Sequence, residues 1–282
     1  MAAITTERQP APVAAPARRR RSVPVWRWAI LLIAAVYFLL PLFAALRFAG
    51  LSAFGTVFGQ AGFGTSVWLT ARLAAMAWII TLLLMVPTTV YVHLRMPGLR
   101  RLMEGITILP IVIPPVVLII GVLQVSPSAL KSAPWLLGLE YVILAMPFSY
   151  RSIDAGLSAM DLKTLTEASS SLGAGWLTTL WRVILPNMRT ALLSATVLIL
   201  ALVFGEFTMA SLDLYVTLPV WIVQFDQLNA QMSEAASLLA LFVTWALLML
   251  ITVIATRRNR RKGGGEVTLF SVTPTTQTIG ES

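Results

Sequence analysis

The sequence predicts an all-α, polytopic membrane protein, and three observations predict it. Of 282 residues, 57% are hydrophobic and 12% are charged, with a mean hydropathy of +0.82. That much apolar surface cannot be hidden in one water-soluble core, so the bilayer must be the solvent. The apolar residues also fall in long runs broken by short polar segments. Eighteen of the twenty-one Lys and Arg sit in four of those segments, which is a topology signal rather than one basic face for a polyanion. The net charge of +9 therefore does not point to nucleic acid. The chain has no Cys, which excludes disulfides, thiolate metal sites and thiol nucleophiles.

Six spans are expected, in this order. The first covers about Trp26 to Phe48, with Trp26, Trp28 and Tyr37 as interfacial or packing aromatics; at 1.5 Å per residue it crosses roughly 30 Å of hydrocarbon. The second covers about Ser66 to Tyr91. The third covers about Ile106 to Val125, where Pro110, Pro114 and Pro115 should kink or unwind it. The fourth, about Trp135 to Tyr150, is short and interrupted by Pro147. The fifth covers about Ala191 to Leu212 and the sixth about Ser237 to Thr256.

Lys and Arg are retained on the cytoplasmic side, so the gaps orient the spans. Arg8, Arg18 to Arg21 and Arg27 precede the first span, and Arg95, Arg100 and Arg101 follow the second. Arg151, Lys163, Arg182 and Arg189 follow the fourth, and Arg257, Arg258, Arg260, Arg261 and Lys262 follow the sixth. The other gaps hold only Arg47 and Lys131 as bases, and the last contains Asp213, Asp226 and Glu234. Both termini are thus expected to be cytoplasmic. The first apolar run is too long for the h-region of a cleaved signal peptide. Residues 1–24 read as a disordered basic tail, 25–256 as the membrane domain and 257–282 as a second disordered tail.

About forty residues separate the fourth and fifth spans, and they have a helical pattern of their own. Asp161 is placed to cap free amides, and Leu162, Leu165, Ala168 or Ser169, and Leu172 recur at helical spacing. Gly173 then closes the helix in the left-handed conformation. Ala174 and Gly175 allow a close turn, and Trp176 to Val183 starts a second helix that Pro186 interrupts. The product is a small apolar knob on the cytoplasmic side, and such a knob needs a socket.

Glu167-Ala168-Ser169, three residues, Gly173, nine residues and Val183-Ile184-Leu185-Pro186 resemble the EAA loop of permease subunits of binding-protein-dependent type I ABC importers. Ser169 stands where the pattern has a second Ala, and Val183 where it has Ile. The resemblance extends over roughly residues 60–256, through Leu69-Thr70, Leu109-Pro110, Pro114-Pro115 and Gly205-Glu206-Phe207, and is nearest the spermidine/putrescine, iron, sulfate and molybdate branch. It implies a bacterial inner-membrane protein that forms half of a solute pathway, with a coupling helix within about 161–187 docking on an ATPase. Glu167 would pair with a basic residue there, Ala168, Ser169 and Leu172 would fill its groove, Gly173 with Ala174 would permit the turn, and Leu185 and Pro186 would complete the docking segment. The implied partners are two ATPase subunits, which would bind ATP and Mg, a second and different permease, an extracytoplasmic solute-binding protein and membrane lipid. Polyamine uptake is the first expectation for the solute, followed by an oxyanion, iron or sugar. The competing class is a non-transporting membrane scaffold.

Chemistry elsewhere is sparse. His93 stands without thiols or paired carboxylates, so no metal site is expected, and no Walker-type glycine loop occurs, so nucleotide belongs to another subunit. Ser169 to Ser171 have no nearby His, so hydrolase chemistry has no base. Glu206, inside the fifth span, is expected to be a structural hydrogen-bonding carboxylate before a solute contact, and Arg72 to snorkel. The outer segments Ala49 to Thr65 and Asp213 to Ala236 are expected to meet the binding protein, with Trp221, Phe225 and Asp226 as first candidates.

Overall fold

The computed structural model describes residues 25–131 and 133–262. Every regular element among them is helical. The chain divides into two units, one ending at Ala44 and the other starting at Ala45. In the first, the described part of α1 (Val25–Ala49) exposes its large apolar side chains from Trp26 to Leu40 on all sides, which is the surface that lipid wets.

The second unit is built around α7 (Pro134–Ser158), which lies between α3 (Phe63–Arg95) and α11 (Arg189–Gly205) and also packs on α4 (Arg100–Val112). Leu73, Ala74 and Ala77 of α3, Leu137, Tyr141, Val142 and Ala145 of α7, and Ile199 and Val203 of α11 form one buried cluster. A second cluster, with Val90, Tyr150, Ile153 and Leu157, continues toward the other end of α7. Small residues let the backbones approach, as they do between membrane helices generally. A Cβ on Gly156 would collide with the Cβ of Ala191, whereas one on Gly138 would meet the flexible tip of Met76.

Proline acts differently at the 114–115 pair, at Pro147 and at Pro186. Ile113 (ψ 123°) and Pro114 (ψ 135°) each precede a proline and are extended, because a proline disfavours the helical region for the residue before it. Two such residues in succession separate α4 from α5 (Pro115–Val125), and the pair is bent by 99°. Pro147, expected to interrupt the fourth span, does not: α7 runs unbroken for 25 residues. Its neighbours on both sides hold it in place, and Ser149 Oγ donates within the same stretch to the carbonyls of Ala145 and Met146. Pro186 is reached through a π-turn, Leu180–Ile184.

Four helical stretches are long and apolar enough to cross a membrane, Trp26–Ala49, Phe63–Arg95, Arg189–Leu212 and Ala230–Ala255, and the bent α4–α5 pair makes a fifth if counted as one span. The remaining expected span, the fourth, is α7, which fails on apolarity rather than length. Its Glu140, Tyr141, Ser149 and Tyr150 are buried against protein, so α7 has no need of an all-apolar surface. The expected count of six is therefore four or five by length and composition. The tail expected at 1–24 and residues 263–282 of the tail expected at 257–282 lie outside the described residues, while 257–262 belong to α14 (Ala230–Lys262).

At one end of α3, α4 and α7 the polar residues interlock. Arg100 donates from Nε and Nη2 to the two carboxylate oxygens of Asp154 at 2.8 and 2.7 Å, and from Nη2 to Ser158 Oγ at 2.6 Å. His93 Nε2 lies 3.3 Å from Asp154. The two basic gaps after the second and fourth expected spans thus meet at the same end of the bundle, as the charge pattern requires.

Gly156→Ala should lower the unfolding temperature, with a cost of about 1–3 kcal/mol for overpacking against a neighbouring Cβ. Gly138→Ala should fall well below that, because the methionine tip can move. Thermal unfolding of the two variants in detergent checks the order; equal losses would contradict this account of the α7–α11 contact.

Candidate functional site

The segment after α7 is a helix, a glycine turn and a second helix, each with a local cause. Asp161 caps α8 (Leu162–Ser171): its Oδ2 accepts from the Thr164 hydroxyl at 2.7 Å and its Oδ1 from the Thr164 amide at 3.2 Å. These bonds hold the Asp161 carboxyl below its ordinary range, the hydroxyl bond contributing most. The cap's contribution is therefore complete above the usual aspartate range and is lost as pH falls through the depressed value. At the other end Gly173 has φ 78°. Its amide donates to Ser170 O at 2.9 Å and the Ala174 amide to Ser169 O at 3.1 Å, the paired bonds of a Schellman closure. No atom lies near the position a Gly173 Cβ would take, so backbone conformation alone requires the glycine.

The face that α8 turns inward differs from the expected one. Ser169 is 7% exposed, and its Oγ pairs with Thr179 Oγ1 at 2.8 Å, tying α8 to α9 (Trp176–Thr179). It does not belong to an outward docking face. Ala168 is exposed and Leu172 is 89% exposed, a placement that water does not favour for a leucine. Leu185 and Pro186 are half-buried rather than outward, next to Ile184, which fills the cluster with Leu157, Leu162 and Met188. The Asn187 side chain donates from Nδ2 to Val183 O at 2.8 Å, across Pro186. The second half of the motif thus anchors the first.

Glu167 lies on the exposed side of α8, 4.0 Å from Lys163; an exposed pair at that distance is worth little, so the carboxylate is available to a partner. Beside it a cleft of about 640 Å³ opens between α8 and the end of α3, lined by His93, Arg95, Lys163, Glu167 and Trp176 among others.

The model of the family described as "binding-protein-dependent transport system inner membrane component" matches residues 86–263. The chain belongs to that family. It is 29% identical over 132 residues to the sulfate transport system permease protein CysW of Synechococcus elongatus, a match covering 44% of this chain and 46% of the relative. The chain thus spans about half the length of that curated relative. A chain of the crystal structure of a bacterial alginate ABC transporter, in complex with an alginate pentasaccharide-bound periplasmic protein, shares the fold with a TM-score of 0.64 and 17% identity, over 84% of this chain and 95% of that one.

For this inner membrane component the other expected site residues separate. Glu206 lies at the break between α11 and α12 (Thr208–Leu212), where its Oε1 accepts from the Met209 amide at 2.8 Å and its Oε2 from the Ala210 amide at 3.3 Å. It caps a helix start inside the membrane domain, which is the structural role expected. Arg72 is exposed on α3. Trp221 is a core residue instead of a surface contact: it is 5% exposed, donates from Nε1 to Ala61 O at 3.0 Å and stacks on Phe225 at 4.7 Å. Phe63 closes on its edge, and Gly62, at φ 82°, leaves room for the indole. Phe225 is half-buried, and only Asp226 of the three is exposed.

Sequence reasoning missed Glu140. It is 1% exposed, in the middle of the expected fourth span, and neither carboxylate oxygen has a hydrogen-bond partner. The rule that singles out Glu206, a carboxylate at membrane depth, applies equally to it.

Ser169→Ala and Thr179→Ala should each lower stability by about 1 kcal/mol, and the double variant should cost little more than the worse single one. A denaturation cycle checks this; additive losses would show that the two hydroxyls act independently.

Proposed function

We propose that this inner membrane component is the permease subunit of an ABC importer. It forms half of a solute pathway and is coupled through residues 161–187 to an ATPase subunit that binds ATP and Mg. One observation carries the reading: α8 is built as a rigid, capped and closed unit, yet it leaves Ala168, Glu167 and Leu172 outward with no partner for its apolar surface. A docking helix needs that combination, since a rigid element transmits force and a bare leucine seeks a groove. Ser169 and Thr179 fix the helix to α9, and Ile184 fixes α9 to the membrane core, so a push on α8 reaches α11. A second permease of different sequence, a second ATPase and an extracytoplasmic binding protein complete the assembly, in the bacterial inner membrane. Support for the binding protein comes from the family description and from the alginate transporter, which shares the fold.

An oxyanion replaces the polyamine as the favoured solute. The sulfate permease relative supports it, whereas neither relative is named for a polyamine. The alginate likeness, at 17% identity, concerns fold and lends no weight to a sugar.

In the complete importer reconstituted in vesicles, Gly173→Val should keep ATP hydrolysis and lose most uptake. A β-branched residue held at a left-handed φ costs about 1–3 kcal/mol of strain. Gly173→Asn should retain uptake, because Asn visits that conformation. Thermal shift of the cognate binding protein against sulfate, molybdate and spermidine identifies the solute in parallel. Normal uptake by Gly173→Val would contradict the coupling role, and a shift with spermidine alone would restore the polyamine.

A further inference from the structure

Glu140 of α7 is brought to Glu206 and Asp213, which flank α12. The charged groups that act on Glu140 are Asp213 and Glu206; those that act on the Tyr141 hydroxyl are Glu206, Glu140 and Asp213. No basic side chain stands among them. Packing agrees with this grouping, since Met209 and Ala210, whose amides Glu206 binds, share a buried cluster with Tyr141. Glu206 satisfies its oxygens on those amides. Both oxygens of Glu140 and both of Asp213 are sealed from solvent with no donor paired to them, and the Tyr141 hydroxyl, on a side chain that is 1% exposed, is likewise buried without a partner.

Several unpaired carboxylate charges cannot remain together in such a place, because a buried ion without a counter-charge costs far more than a fold can supply. Something must neutralise them. A solute or hydrated ion cannot reach oxygens with no accessible surface, and among the described residues no group of three acidic or imidazole side chains is arranged to hold a metal ion. A proton needs no room. Two neighbouring buried carboxylates have acceptors and no donor, and one proton supplies the donor for both. We propose that Glu140 and Asp213 form a proton-binding site that holds one proton between them and ties the end of α12 to α7.

The neighbours of the site leave the proton as the variable charge. Tyr141 and Glu206 line it, and Tyr215 lies near Asp213. On α3 the charged residue in the same half is Arg72, which is exposed and does not act on Glu140. Arg100, Arg101 and Glu104 of α4 start at the opposite end, where Asp154 lies, and α5 carries no titratable residue. The proton therefore adds a tie between the end of α12, at Asp213, and Glu140 of α7.

Infrared spectroscopy of the purified permease in lipid tests this. At neutral pH the wild type should show a carboxylic-acid C=O band that shifts in deuterium oxide, and Glu140→Gln and Asp213→Asn should each remove it. Its absence from the wild type, or its survival in both variants, would overturn the proposal. The unfolding temperature of the wild type is a second measurement that needs no variant. It should fall as the solution is made alkaline and the shared proton is lost; a flat profile, or one that calcium or sodium abolishes, would overturn the proposal in favour of no site or a metal site.

Discussion

Glu140 and Tyr141 cannot face hydrocarbon, and that prohibition places α7 inside the bundle. A helix with such residues near one end and Asp154 near the other must be enclosed by other helices, since lipid offers nothing to hydrogen-bond. The helices α3 and α11 supply the enclosure, with small residues at the crossings and the two buried clusters along them. Freed from contact with lipid, α7 carries the proline, serine and tyrosines that an exposed span would not. The end that carries Asp154 leads directly into Asp161 and α8.

Breaks in helices do the remaining positioning. The consecutive prolines at 114 and 115 turn the chain by forcing extended backbone, while Glu206 restarts a helix by binding two free amides. The π-turn before Pro186 brings Ile184 into the core and Asn187 onto Val183. Each break is satisfied locally, which a membrane interior demands of any backbone that leaves the helix. The segment 161–187 therefore connects to the bundle through buried side chains rather than a slack loop.

Local signals were legible in the sequence, and shared burial was not. Gly173, Asp161 and the double proline act through backbone conformation and neighbouring amides, so their roles follow from a few residues of context. The inward turn of Ser169 depends on Thr179 ten residues away, and the core position of Trp221 depends on Ala61 and Phe63. Aromatic residues in an outer loop read equally as surface or core until the other elements are placed. Glu140 was hidden for a related reason: apolarity tests average over a helix, and α7 buries its polar residues against elements that a linear reading does not assemble.

The central claim is that α8 docks on an ATPase with Ala168 and Leu172 outward and Ser169 inward. The absence of native cysteine makes disulfide cross-linking the direct measurement. Single cysteines at 168, 169 and 172, each paired with cysteines across the groove of the co-purified ATPase, should cross-link from Ala168→Cys and Leu172→Cys and not from Ser169→Cys. Efficient cross-linking from position 169, or none from 168 and 172, would contradict the account.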